Sequence, residues 1–385
     1  MKRTLKQDRQ QSAQPLSPED LLLGTLGMQA VGADLASHMK RAQLNKHELA
    51  RVAGLSPSYI GYLERNEIKK VGRDKIVWFA TAANLDLEKT NQILARYQLD
   101  RIGPSDASLF IQASRRRKII GVQPVYHGLG YDVLMLALER LEGDLVVVHD
   151  MPLAALRSPE YAIFSDSVKW EEKWAMEFQK LKGLEPFDDT VQELYARRLL
   201  DSIYLEIRLG LHRERLKNVR AILSKGFSVE LLVCRGCFED HVAQRSGADT
   251  PERQHLVQHL ATHLVFMRQF PAFRFRLVED CPQLRFEIKH TPGKADDGHV
   301  FLSGKVRHYH VQRTSDRLLG FASDSRKLYK FLNMEYARLR DLAGNTAWDP
   351  EAVREQIIGV CEKRDIKKVE ILRAEKMVES LPLYA

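Results

Sequence analysis

The sequence predicts a multi-domain protein: an all-α helix-turn-helix N-terminal domain, then an α/β C-terminal domain with a mixed sheet. Three observations carry this. Between Leu35 and Leu85 apolar residues recur at helical spacing, and the centre of the stretch, NKHELARVAGLSPSYIGYLERNEI, sets Ala50, Gly54 and Ile60 where two short crossing helices need them. After residue 119, short runs rich in branched apolar residues alternate with helix-length stretches. The 385 residues suffice for two or three domains with sizeable cores.

In chain order, residues 1–30 read as a flexible arm, with Lys2, Arg3, Lys6 and Arg9 spread among Gln and Ser. Residues 31–100 form the first domain, with helices predicted near 33–42, 46–53, 57–65, 73–83 and 87–97. Ala50 is small enough for the second helix to overlie the first, and Gly54 supplies the positive φ that the tight turn demands. Ile60 turns back into the core with Leu49, Ala53, Leu55 and Leu63, while Ser56 is an N-cap candidate and Pro57 suits the first helical position. Residues 101–118 read as a linker opened by Gly103-Pro104-Ser105. It closes on the basic run Arg115, Arg116, Arg117 and Lys118, which is either a solvated face or a second phosphate contact.

Residues 119–345 form the α/β domain. Strands are predicted at 145–148, 203–207, 228–233, 273–278, 284–288, 299–302, 305–311 and 318–321, and helices near 131–141, 167–182, 189–200, 213–224, 252–269 and 324–343. The span from Ser202 to Cys234 reads as a strand–helix–strand crossover with parallel pairing, whereas short turns such as Ser303-Gly304-Lys305 imply antiparallel neighbours. Residues 346–385 read as a helical tail that packs on the body or on a second subunit.

The stretch around Gly54 resembles the lambda-repressor/Cro (XRE) family of helix-turn-helix domains, over residues 33–97 and no further. It departs from the family pattern at Asn45-Lys46, where Thr-Gln is usual, at Gly61, where Ser is usual, and at Asn66, where Gly is usual. The resemblance implies that helix 57–65 enters the major groove of double-stranded DNA. On that reading the DNA-binding set is Lys46, Ser56, Ser58, Tyr59, Gly61, Tyr62, Arg65 and Asn66. Ser56, Ser58, Tyr59, Gly61, Tyr62 and Arg65 are predicted to face away from Ile60 and Leu63. There Ser and Arg can reach base edges or phosphates, and Tyr a thymine methyl or the backbone. Lys46 reaches a phosphate with a charge, and Asn66 tolerates the left-handed conformation that ends a helix.

The charge distribution agrees with that expectation. Residues 1–103 hold 16 Lys and Arg against 11 Asp and Glu, and the remainder 43 against 40, so most of the net +8 lies around the motif. No apolar run approaches the ~20 residues that span a bilayer, and the polar N-terminus lacks a signal-peptide core. Four cysteines in that context predict reduced thiols in a cytoplasmic protein, not a disulfide framework.

The larger domain offers less chemistry. Its order of elements from 203 to 343 loosely resembles the phospholipase D-like fold. That superfamily needs a His, a Lys two residues on and an Asp five further, whereas here His308 is followed by His310 and Ser315; the resemblance therefore implies a catalytically empty domain. Neither a phosphate loop with its Lys-Ser/Thr nor a Gly-x-Ser-x-Gly elbow occurs. His255, His259 and His263 share one helix face, and Cys234-x-x-Cys237 follows a strand with His241 beyond. These residues allow a zinc site, a redox pair, or a histidine-bearing surface or interface stripe with two ordinary thiols. Trp170, Trp174 and Phe178 recur at helical spacing and read as core, with Glu171, Glu172 and Lys173 on the solvated side.

The expectation is a sequence-specific transcriptional regulator, not an enzyme, with no cofactor and no metal. It binds double-stranded DNA as a homodimer, and its α/β domain senses a small-molecule or protein effector, dimerises, or both. The alternatives are a DNA-targeted phosphodiesterase or nuclease and an interaction module of a phage-defence or mobile-element system.

Overall fold

The computed structural model describes residues 39, 44–65, 71–149, 171, 174–177, 179, 180, 189–247, 251–304, 318–343 and 349–381. Four helices come first: α1 (Lys46–Ala53), α2 (Pro57–Arg65), α3 (Arg73–Ala82) and α4 (Leu87–Arg96). The predicted helix at 33–42, the arm before it and Asn66 lie outside the described residues, apart from Met39 within the first of these.

Residues 101–118 do not form an open linker. Pro104–Asp106 is a 3-10 turn leading into α5 (Ala107–Arg116), and Phe110 and Ala113 are buried in the same core as Ala50 and Ile60. Arg73 explains the order here: its guanidinium donates to both carboxylate oxygens of Asp106 and to the backbone carbonyls of Asp100 and Arg101. The basic run is largely used up internally. Arg117 is buried and donates to the Thr81 carbonyl and Gln123 Oε1, at 3.1 Å each. Arg116 lies over the Trp78 ring at 5.2 Å, and Arg115 pairs with Glu214 at 3.2 Å.

The remaining elements are β1 (Val122–Val125), α6 (Gly128–Glu139), β2 (Leu145–His149), α7 (Asp189–Ser224), β3 (Val229–Cys234), α8 (Arg235–Arg245), α9 (Pro251–Gln269), β4 (Phe273–Val278), β5 (Arg285–His290), β6 (Gly298–Ser303), β7 (Gly320–Ser323), α10 (Arg326–Leu342), α11 (Pro350–Glu362) and α12 (Lys368–Ser380). The strands form one mixed sheet in the order β1-β7-β6-β5-β2-β3-β4, parallel at β2–β3–β4 and antiparallel elsewhere. β2 and β3 are buried along their whole length, as parallel strands covered on both faces must be. Their composition, LVVVH and VELLVC, is accordingly almost continuous in apolar residues. At the two ends of the order stand β1, which contains Pro124, and β4, where Arg274 and Arg276 alternate with buried Phe273, Phe275 and Leu277.

The predicted strand 203–207 is not one. IYLEI lies inside the 36-residue α7, where Tyr204, Ile207 and Leu211 bury one helical face. The parallel crossover is real but begins earlier: β2 leads through α7 to β3, and α8 and α9 lead on to β4. The predicted strand 305–311 lies outside the described residues.

One face of the sheet packs on α8, α9, α11, α12 and the C-terminal half of α7; the other packs on α10 through Tyr329, Leu332, Tyr336 and Leu339. The N-terminal half of α7 leaves this body and joins the core around α1–α4. A single cluster runs from Ala50, Ile60, Phe79 and Leu94 through Phe110 to Leu129, Val133, Trp174, Tyr204 and Ile207. At ~1.5 Å per residue, α7 spans roughly 54 Å and belongs to both cores.

A buried ionic network fixes how α6 meets α7. Arg208 donates to Asp132 at 2.6 Å, and Arg215 donates twice to Glu139 Oε1, at 2.8 and 2.6 Å. All four side chains are at most 1% exposed. Burial pushes the Asp132 carboxyl up, but Arg208, His212 and Arg215 outweigh it and hold it below its ordinary value. Glu287 on β5 has Arg215 as its main counter-charge, and burial pushes it up to about 8. Lys289, two residues on, is pushed down to about 8 by the same cause.

His259 and His263 are core residues of α9, not a surface stripe. Their rings meet edge to face at 4.7 Å, His263 Nδ1 lies 2.9 Å from the His259 carbonyl oxygen, and the His263 ring rests against Phe275.

Two predictions arise. Changing Arg215→Met strands Glu139 in the core and should cost roughly 3–5 kcal/mol in denaturant unfolding, with Glu139→Gln added to it restoring a large part; equal stability of the single variant would remove the pair as an organising contact. His263, whose pKa burial lowers from 6.5 to about 4, contributes stability that is complete above pH 6.5 and is lost as pH falls through 4. That difference is worth roughly 3 kcal/mol. His263→Leu should flatten the thermal-melting profile between those limits.

Candidate nucleic-acid interface

The α1–turn–α2 unit is built by local chemistry at each boundary. Asn45 caps α1: its side chain accepts from the Glu48 N–H at 3.0 Å, and Glu48 returns a bond to the Asn45 N–H at 2.8 Å. This reciprocal capping box satisfies two donors that the helix start would leave open. Gly54 ends α1 at φ +66°, with its N–H donated to the Ala50 and Arg51 carbonyls. A second constraint acts there, because a Cβ on Gly54 would stand 3.0 Å from the Arg116 carbonyl oxygen. The Lys118 N–H also donates to the Val52 carbonyl at 3.1 Å, so the end of α5 is laced onto the turn. Ser56 then starts α2, its Oγ accepting from the Tyr59 N–H at 3.2 Å and its carbonyl from the Ile60 N–H at 3.3 Å. Ala50 and Ile60 are fully buried at the crossing.

The structure sorts the predicted contact residues into three groups. Ser56, Ser58, Tyr62 and Arg65 are exposed on α2, with the Arg65 guanidinium over the Tyr62 ring at 5.4 Å. Tyr59 and Gly61 do not face outward as predicted. The Tyr59 ring packs against the core under the Lys75 ammonium, its hydroxyl is buried, and burial, then Asp74 and Tyr97, push that hydroxyl up to about 12. A helix-wheel reading missed this because the covering residues, on α3 and at Tyr97, lie outside α2. Gly61 is buried beneath two cations: its Cβ position lies 3.3 Å from the Arg65 guanidinium and 3.8 Å from Lys46 Nζ. Lys46 itself is half-buried and paired with Glu64. Asn66 lies outside the described residues.

Exposed His47, Arg51 and Lys75 extend the basic surface onto α1 and α3, residues that sequence reasoning passed over. Their signal was present in principle: Arg51 interrupts the buried run of α1, and His47 and Lys75 stand in the first turns of α1 and α3, ahead of the buried positions. The surface carries hydroxyls, a phenol and fixed cations on a helix anchored at its start and along its inner face. Such groups bind phosphate oxygens and base edges.

Elsewhere among the described residues, many polar groups are paired with one another. An open groove of about 300 Å³ beside α10 is lined by Asp144, Ser228, Glu230, Arg274, His290, Tyr336 and Arg340. Asp144 accepts from the Ser228 N–H at 2.6 Å, and Glu230 pairs with Arg276 at 3.0 Å. His308 and His310 lie outside the described residues. The three histidines of α9 form no metal cluster among the described residues; Cys234 and Cys237 do come together, with Cys281. Among the described residues no helix is long and apolar enough to cross a membrane.

No family model, curated protein or solved structure matches the chain. The site therefore rests on its own geometry.

Gly54→Ala should cost more than the ~1–2 kcal/mol of a left-handed conformation alone, because the methyl group also meets the Arg116 carbonyl. Gly54→Asn tests the two terms separately in thermal melts. It tolerates the φ, so a fully restored Tm would show that the close approach adds nothing.

Proposed function

We propose that this protein is a sequence-specific DNA-binding transcriptional regulator, acting as a homodimer, in which α2 lies in the major groove and the α/β body receives a ligand or partner. The observation that carries the reading is the face of α2. Ser58, Tyr62 and Arg65, with Ser56 just before them, are exposed on a helix whose inner residues, Ile60, Gly61 and Leu63, are buried. Arg65 and Lys46 both reach over Gly61, whose missing side chain lets the two cations lie close against the helix. A lone helix-turn-helix reads few base pairs, so two copies on half-sites one turn apart supply the rest of the affinity.

Regulation follows from α7. Its one end packs under the sheet through Leu216, Val219 and Ile222, and its other end packs in the motif's core through Tyr204 and Ile207. An effector that favours one placement of the body shifts the spacing of two recognition helices by population shift. The phosphodiesterase alternative rests on His308 and His310, which the sequence leaves without the Lys and Asp of that chemistry.

The test uses the full-length protein and DNA flanking its own gene, read by fluorescence anisotropy at fixed salt. Tyr62→Ala with Arg65→Ala should weaken specific binding by roughly 100-fold or more while the melting curve holds. Undiminished binding would take α2 out of the groove.

A further inference from the structure

The end of β3 and the loop after β4 bring Cys281 to Cys234 and Cys237, from which it is 44 or more residues away in sequence. Cys234 closes β3 and caps α8, Cys237 lies in the first turn of α8, and Cys281 follows β4. Parallel pairing is responsible: Cys234 stands opposite Val278, which puts Cys281 three residues past that register. The three Sγ atoms all lie within 4.8 Å of one another, and Cys237 and Cys281 approach to 3.7 Å. From these observations we infer that Cys234, Cys237 and Cys281 form a three-thiolate site for a thiophilic d10 metal ion, zinc in the first instance.

The distances favour a metal over the alternatives. Tetrahedral zinc with Zn–S bonds of about 2.3 Å places neighbouring sulfurs about 3.8 Å apart, the separation of Cys237 and Cys281. A disulfide brings sulfurs to about 2.05 Å, and all four cysteines of the chain are free. The Cys237 N–H points at Cys234 Sγ from 3.5 Å, a donor that stabilises a thiolate, and the start of α8 adds the positive end of its dipole. The scaffold is braced across the site: Arg235, the first residue of α8, pairs with Glu279 of the segment carrying Cys281 at 2.6 Å. The place also suits a ligand site, since open α/β sheets collect ligands beyond the carboxyl ends of their parallel strands.

Without a cation the cluster is an unfavourable one. Burial and the two neighbouring thiols push the Cys237 thiol up to about 12. A divalent ion reverses the balance. Each thiol that ligates gives its proton to solvent, up to three protons leave per ion, and three sulfur–metal bonds form with no change of oxidation state. The fourth tetrahedral corner is left for water or an external ligand. The existence of this site is independent of what α2 contacts.

The test is metal uptake by the full-length protein purified under reducing conditions. Zinc titrated against a chromophoric chelator should bind one ion per chain with proton release that rises with the number of thiols engaged. Cobalt in its place should give thiolate-to-cobalt charge transfer and the intense visible bands of tetrahedral coordination. Cys281→Ser, at the surface, should weaken zinc more than roughly 100-fold while the chain stays folded. Cys361→Ala, which removes the one cysteine outside the cluster, should leave stoichiometry and spectrum unchanged. Absence of zinc uptake, a cobalt spectrum without thiolate bands, or full affinity in Cys281→Ser would each overturn the assignment.

Discussion

The registration of α6 on α7 is the constraint on which the rest depends. Asp132 and Glu139 are seven residues apart on one helix, and their partners Arg208 and Arg215 are seven apart on the other. The two helices therefore run parallel with both pairs aligned, at points about 10 Å apart along each axis. Slipping α7 by one turn would leave two buried carboxylates without counter-charge, at a cost of several kcal/mol each. Apolar packing alone tolerates such slips better, because one leucine fills much the same space as the next. The ion pairs thus supply specificity more than net stability.

That registration has an architectural effect. The core around α1 and α2 continues directly into α5, α6 and α7. Arg73 closes the segment after α4, Asn84 donates to the Pro124 carbonyl at the start of the sheet, and the Lys118 N–H reaches α1. Orientation of α2 is accordingly set by packing.

Much of this was legible in the sequence where local rules and tertiary packing agree. Ala50, Gly54 and Ile60 occupy the positions their chemistry predicts, and the runs LVVV, SVELLV and FRFRLV became buried strands. The failures have physical causes. Ile203, Tyr204 and Ile207 have strand-like composition, but Leu211 completes a helical face that the five-residue run concealed. Gly103-Pro104-Ser105 has linker composition, yet Arg73 supplies the partners that order it from 28 or more residues away. Tyr59 was turned inward by residues on α3 and at the end of α4. Cys281 joined Cys234 and Cys237 only through the pairing of β3 with β4, and the ionic network only through the pairing of two helices 76 residues apart.

The ends of the sheet carry one more consequence. β1 holds Pro124, which has no N–H to offer a further strand, and β4 presents Arg274 and Arg276, bulky polar side chains held on its face by Glu230. Both borders are thereby guarded against strand addition, the route by which open sheets grow into fibrils.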